Sequence, residues 1–81
     1  MALEGHPIAM APAELRVLGV LAASLGRVVD RETLILRAWG EEVPATRTVY
    51  SVVKRLRARL GPAGGLIETV RGVGYRLSRV A

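Results

Sequence analysis

The segment 46–60 constrains the fold more strongly than any other part of the sequence. Five apolar residues recur there with the spacing that puts them on one face of an α-helix: Val49, Val52, Val53, Leu56 and Leu60. The opposite face and its flanks are mostly cationic or small and polar: Arg47, Ser51, Lys54, Arg55 and Ala58, flanked by Thr48, Tyr50, Arg57 and Arg59. Gly61 and Pro62 then end the pattern. The sequence predicts a helix packed on a core by one side, with a basic side left free.

A β-hairpin is predicted directly after this helix. Residues 66–70 are rich in strand-forming side chains, residues 71–74 have the glycines of a turn, and residues 75–77 supply a second strand. Gly72 and Gly74 permit positive φ and keep the turn slim. They also let the turn approach another backbone closely, and we expect that backbone to belong to a ligand. Arg71 would lie at the tip of the projecting hairpin.

Two shorter helices are predicted upstream. Pro12 suits the first position of a helix, since its missing N–H would be unpaired there. The predicted apolar stripe of this first helix is Leu15, Leu18, Ala22 and Leu25. Gly26 is the expected left-handed cap, and residues 28–29 form an extended connector. Asp30 is expected to cap a second helix that ends at Trp39.

The order of these elements predicts the fold class. A short edge strand is expected at 7–10, followed by three helices and the hairpin. This is an α+β protein, a winged helix-turn-helix with a short N-terminal strand and a C-terminal β-hairpin wing. The length suits one domain, expected to span residues 1–81 with residues 1–7 frayed.

Charge is distributed unevenly along the chain. Residues 1–46 carry four arginines against six acidic residues, a net charge of −2, whereas residues 47–81 carry eight basic residues against Glu68, a net charge of +7. Such a concentration produces one strongly positive face, which is typical of proteins that bind polyanions. A basic surface that is merely solvated is the alternative that charge alone leaves open.

Several other classes of function find little support in the sequence. The absence of cysteine excludes a disulfide framework and thiolate metal sites. The uncharged run at 17–26 is too short to span a membrane, which needs about 20 residues. His6 has no partner residues for catalysis or metal binding, and Glu41 and Glu42 are more typical of solvated loop carboxylates. We therefore expect a cytoplasmic protein that is not an enzyme and has no catalytic residues, metal, cofactor or membrane partner.

Three stretches resemble the OmpR/PhoB-type winged-helix domains, which form the DNA-binding effector half of bacterial two-component response regulators. The sequence RTV at 47–49, with KRLR at 54–57, resembles their recognition helix. IETVRGVGYRL at 67–77 is similar to their wing, and AWG at 38–40 to the end of their second helix. The resemblance covers roughly residues 8–78. It implies sequence-specific binding of double-stranded DNA and regulation of transcription. It also implies that a receiver domain would usually precede this domain in the chain.

The chemistry of helix 46–60 and the family resemblance together give the candidate DNA-binding residues. Helix 46–60 would enter the major groove, where Arg can donate to both acceptors of guanine and Ser can reach either base edge. Arg47 and Arg57 are candidates for phosphate contacts, which position the domain on DNA without reading the base sequence. The resemblance implies phosphate contacts at further positions and a minor-groove contact for the wing arginine within 66–77. The full set is Trp39, Arg47, Thr48, Ser51, Lys54, Arg55, Arg57, Thr69, Arg71 and Tyr75.

For some of these residues an alternative remains open. Trp39 and Tyr75 are equally compatible with core aromatics whose polar atoms reach the surface. Arg71 is compatible with an ordinary turn residue. Arg59 lies nearer the apolar stripe, so we expect it to contact an acid or a helix end rather than DNA.

The chain also departs from the family pattern. Ala11 precedes Pro12 where the family usually has a hydroxyl cap. Tyr50 and Val52 stand where Asp and His are common, which suggests a different target sequence. Alternative functions are a winged helix that docks on RNA polymerase or a partner domain, and a DNA-binding module fused to a protein without a receiver. We expect a monomer in solution, and the resemblance implies that it pairs head to tail on direct repeats.

Overall fold

The computed structural model describes residues 2–3, 6–7 and 9–79, with side chains from residue 9 onward. The strands and helices, in chain order, are β1 (Ala2–Leu3), β2 (His6–Pro7), α1 (Pro12–Ala23), β3 (Val28–Asp30), α2 (Arg31–Trp39), α3 (Thr46–Leu60), β4 (Ile67–Val70) and β5 (Gly74–Leu77). A 3₁₀ helix, Gly61–Leu66, joins α3 to β4. The predicted α+β winged helix-turn-helix is confirmed.

The N-terminal strand lies earlier than predicted. β1 and β2 pair antiparallel, with Ala2 opposite Pro7 and Leu3 opposite His6. Residues 9 and 10 are irregular and residue 8 lies outside the described part of the chain. The predicted strand at 7–10 is therefore wrong at residues 9 and 10, which pair with no strand among the described residues. The expected fraying at 1–7 stays a prediction, since it concerns in part the undescribed residues 1, 4 and 5.

Helix α1 buries a different face from the predicted one. Its buried residues are Glu14, Val17, Val20 and Leu21. Leu15 and Leu25 are 48% and 42% exposed, and the helix ends at Ala23. Apolar residues occupy most sides of this helix, so their spacing alone did not identify the buried side. Packing against α2 and α3 selects it.

Helices α2 and α3 form as predicted. The Asp30 side chain accepts a hydrogen bond from the Thr33 backbone N–H at 3.1 Å and caps α2. Gly40 and Gly61 follow the two helices with positive φ of 66° and 57°. All five predicted apolar residues of α3 are buried. They pack with Val17, Leu21 and Leu34 in one core that also includes Tyr75.

The wing contains one strand more than the sequence indicated. The segment predicted as a connector is β3, which pairs antiparallel with β5 and completes a sheet of order β3-β5-β4. Gly26, with φ of 82°, donates its N–H to the Leu77 carbonyl at 2.8 Å and brings the chain to β5. A Cβ atom at Gly74 would overlap the carbonyl oxygen of Val29. The close approach at Gly74 is thus to a neighbouring strand, not to a ligand.

Candidate nucleic-acid interface

The free side of α3 carries a cluster of unpaired cations. Arg47, Lys54 and Arg55 are exposed, and Ser51 between them is half-buried. Among the described residues these three cations form no ion pair or side-chain hydrogen bond. Burial of the apolar stripe fixes the helix orientation, so these charges remain turned toward solvent and available to an anionic partner.

The flanking arginines of α3 are engaged within the protein. Arg59 forms an ion pair with Glu14 of α1, whose carboxylate is 1% exposed. This confirms that Arg59 reaches an acid. Arg57 donates from Nε to the Ile67 carbonyl at 3.0 Å and from Nη2 to the Thr69 hydroxyl at 2.7 Å. The predicted phosphate candidate Arg57 therefore joins the helix to the wing.

The tip of the wing carries a further free cation. Arg71 is exposed in the turn between β4 and β5, where Gly72 has a φ of 75°. The Val73 N–H closes this turn on the Val70 carbonyl at 3.0 Å. The acid in β4 does not offset Arg71, because Glu68 pairs at 2.5 Å with Arg76 of the neighbouring strand.

The hydrogen bonds to Glu68 also affect its protonation. Ser78 donates its hydroxyl to Glu68, and Arg76 donates from its guanidinium. These hydrogen bonds, that of Ser78 first, hold the pKa of Glu68 below its ordinary value. The carboxylate therefore stays charged and neutralises Arg76 rather than Arg71.

Helix α3 and the wing face one common cleft. Tyr50 from α3 and Thr69, Arg71 and Gly72 from the wing line a cavity of about 260 Å³, together with Arg31 and Tyr75. Tyr50 of α3 and Arg71 of the wing tip thus line the same cleft. A helix suits the width of a major groove, and a slim hairpin tip suits the narrower minor groove.

Other kinds of site are less evident. Among the residues with described side chains, no group of three or more acidic or histidine side chains is placed to hold a metal ion. No described helix is long and apolar enough to cross a membrane.

Comparison with known proteins identifies the family. Residues 5–77 match the family model described as "Transcriptional regulatory protein, C terminal". The chain belongs to this family, the OmpR/PhoB-type effector domains. It is 43% identical over 74 residues to the transcriptional regulatory protein VxrB of Vibrio cholerae, covering 90% of this chain and 29% of VxrB. It is 40% identical over 76 residues to the phosphate regulon regulator PhoB of Escherichia coli, covering 90% and 33%.

A solved relative shows the same fold on DNA. The RstA DNA-binding domain of Klebsiella pneumoniae, solved in complex with the RstA box, superposes with a TM-score of 0.78 at 31% identity, covering 94% of this chain and 79% of that one. This chain spans about a third of the length of the curated relatives named above. It is a DNA-binding effector domain of the response-regulator type.

Within this effector domain, one predicted DNA-binding residue is not at the surface. Tyr75 is 2% exposed, and its hydroxyl is buried without a hydrogen-bond partner among the described residues. Burial raises the pKa of this phenol above 10.0. Tyr75 is a core aromatic, although its polar atom does not reach the surface as the alternative expected. Tyr75 pairs with Val29 of β3 across the sheet, a pairing that sequence spacing could not reveal.

The remaining predicted residues occupy more accessible places. Thr48 and Thr69 are exposed, and Thr69 accepts the hydrogen bond from Arg57. Trp39 is half-buried at the end of α2 and packs against the core. Their DNA contacts stay predictions.

Sequence reasoning missed the partner of Tyr50. Arg31 of α2 donates from Nη2 to the Tyr50 hydroxyl at 3.1 Å, and its guanidinium carbon lies 5.4 Å from the ring centroid. The sequence did give one signal for an unusual contact here, because Tyr50 stands where the family commonly has Asp. Nothing in the sequence connected that departure to Arg31.

Proposed function

We propose that this domain binds double-stranded DNA at specific sequences and thereby regulates transcription. In this proposal α3 lies in the major groove and the wing at the adjacent minor groove. The observation that carries it is the set of exposed, unpaired cations on these two elements: Arg47, Lys54, Arg55 and Arg71. Arg55 and Ser51 would read base edges, whereas Arg47, Lys54, Thr48, Thr69 and Trp39 would contact the sugar-phosphate backbone.

Selection of duplexes from a random pool, followed by titration at several salt concentrations, tests the proposal. We expect one motif to be enriched. If the four exposed cations together neutralise about four phosphates, the logarithm of the association constant should fall with the logarithm of salt concentration with a slope near −3.6. A slope near zero, or a pool without enrichment, would contradict it.

A second candidate function is docking on another protein, with RNA polymerase as the candidate partner. A separate apolar patch favours it: Leu36 and Val43 are 66% and 74% exposed and lie beside Ile35 and Gly40. An exposed apolar patch is typical of protein interfaces. One variant titrated against both partners separates the two functions, since Leu36→Ser should weaken polymerase binding and leave DNA affinity unchanged.

The setting of the domain is also part of the proposal. We infer a cytoplasmic regulator whose receiver domain lies upstream and whose effector domains are monomeric alone and pair head to tail on direct repeats. The absence of a leftover apolar helix stripe on α3 supports a monomer. Sedimentation with and without a duplex carrying two half-sites measures both states.

A further inference from the structure

Tyr50 has properties that the other exposed residues of α3 lack. Seven large apolar side chains are exposed among the described residues, and Tyr50 is the one on α3, at 50% exposure. It lies in the second turn of the helix, as its fifth residue. Residues in the N-terminal part of a recognition helix commonly contact base edges. Tyr50 therefore offers aromatic carbon where the neighbouring side chains offer charge or hydroxyl groups.

The ring is held in place from a second helix. Arg31 donates to the Tyr50 hydroxyl at 3.1 Å and places its guanidinium carbon 5.4 Å from the ring centroid. The two contacts restrict both the position of the hydroxyl and the tilt of the ring, so little conformational freedom remains to be lost on binding. Arg31 thereby acts as a positioning residue for Tyr50.

The chemistry of the ring favours one kind of base edge. Of the groups in the major groove, the 5-methyl of thymine is the apolar one. A phosphate would gain more from Arg47, Lys54 or Arg71, which are charged and unpaired nearby. We propose that Tyr50, positioned by Arg31, reads the 5-methyl group of a thymine and so determines one base pair of the target site. This inference rests on the proposed function and specifies part of its target.

Deoxyuridine provides the direct test, because it differs from thymidine by that methyl group alone. After selection of a motif with the wild-type chain, each thymine is replaced in turn by deoxyuridine and the affinity is measured. One replacement should weaken wild-type binding about fourfold, the value of one buried methyl group. Tyr50→Ala should reduce that ratio to about one. Tyr50→Phe retains the ring and should keep most of the ratio.

Control variants separate methyl recognition by Tyr50 from a general loss of DNA affinity. Lys54→Ala should lower affinity for all duplexes and keep the fourfold ratio at the same thymine. Arg31→Ala, which frees the ring, should reduce the ratio while affinity for non-specific duplexes changes less. Circular dichroism melts establish that each variant is folded before it is titrated.

The outcomes discriminate between the proposals. If Tyr50→Ala weakened all duplexes by the same factor and kept the deoxyuridine ratio, Tyr50 would contact only the backbone and the inference would be overturned. A wild-type chain that is insensitive to every deoxyuridine replacement would also overturn it, while leaving the proposed function intact. Failure to enrich any sequence would instead reject the proposed function, and with it this inference.

Discussion

Arg57 of α3 donates a hydrogen bond from Nη2 to the hydroxyl of Thr69 in β4 at 2.7 Å. Its Nε donates to the carbonyl of Ile67 in the same strand at 3.0 Å. One guanidinium thus connects the helix proposed to enter the major groove with the hairpin proposed to reach the minor groove. Its planar fork suits two fixed acceptors, a geometry that a lysine ammonium does not reproduce.

Arg57→Ala should therefore affect both stability and DNA binding. The loss of two charged hydrogen bonds should lower the free energy of unfolding by ~1–3 kcal/mol, measured by urea denaturation. The wing should lose its fixed position, so affinity should fall for sites that engage both elements. Thr69→Val keeps the shape and removes one acceptor, and should cost less. Equal stability of Arg57→Ala and wild type would mean that the link is not formed in solution.

Arg55→Ala and Arg47→Ala should change DNA affinity in different ways. Loss of an arginine that reads guanine should cost ~1–3 kcal/mol on the preferred site and little on random DNA. Loss of a phosphate contact should weaken both duplexes by a similar factor and make the salt slope less negative by about one. Anisotropy titrations with the selected and a scrambled duplex make the comparison. The assignments would have to be exchanged if Arg47→Ala were the variant that lost discrimination.

Arg71→Ala should reduce the preference for an A/T-rich flank. A narrow A/T-rich minor groove has a deeper negative potential, so an arginine at the wing tip gains more there than in a G/C-rich groove. We expect the mutant to lose affinity and part of the ratio between duplexes that differ only in the flank. An unchanged ratio would indicate that the wing contacts phosphate alone or stays off the DNA.

Arg59→Ala should destabilise the fold without changing DNA recognition. It leaves the Glu14 carboxylate, 1% exposed, without its partner. Breaking a buried ion pair by removing one partner lowers the free energy of unfolding by ~3–5 kcal/mol. Because Arg59 is partly exposed, we expect a loss at or below the lower end of that range. Adding Glu14→Gln should recover part of that loss in urea denaturation. The folded mutant should bind the selected duplex like wild type, and a specific loss of affinity would instead place Arg59 at the DNA.

Asp30 gives the cap of α2 a pH dependence. Hydrogen bonds from the Thr33 hydroxyl and backbone hold the pKa of Asp30 below its ordinary value of 3.8. A carboxylate with a lowered folded-state pKa stabilises the fold above its unfolded pKa and loses that contribution as the pH falls through the folded one. Asp30→Ala should lower Tm at pH 7, and the difference from wild type should shrink below about pH 4. A difference that stays constant with pH would assign the effect to helix propensity.

The elements with local sequence signals could be predicted from the sequence alone. The α3 stripe, the Asp30 cap, the glycines after α2 and α3, and the β4–β5 hairpin each depend on residues within one or two turns of each other. The same holds for the free cations at 47, 54, 55 and 71, since the position of a residue on an amphipathic helix or turn fixes its side. The order of these locally determined elements was sufficient to predict the fold class.

Tertiary packing set the features that depend on residues distant in the sequence. It selected the buried face of α1, because Arg59, 45 residues away, compensates the charge of Glu14. It made residues 28–30 a strand, because β5 lies beside them, and it placed Tyr75 in the core. It joined Arg57 to the wing and gave Tyr50 its partner in α2. Periodicity shows that a side chain lies on one side of its own element, but not which neighbour that side will meet.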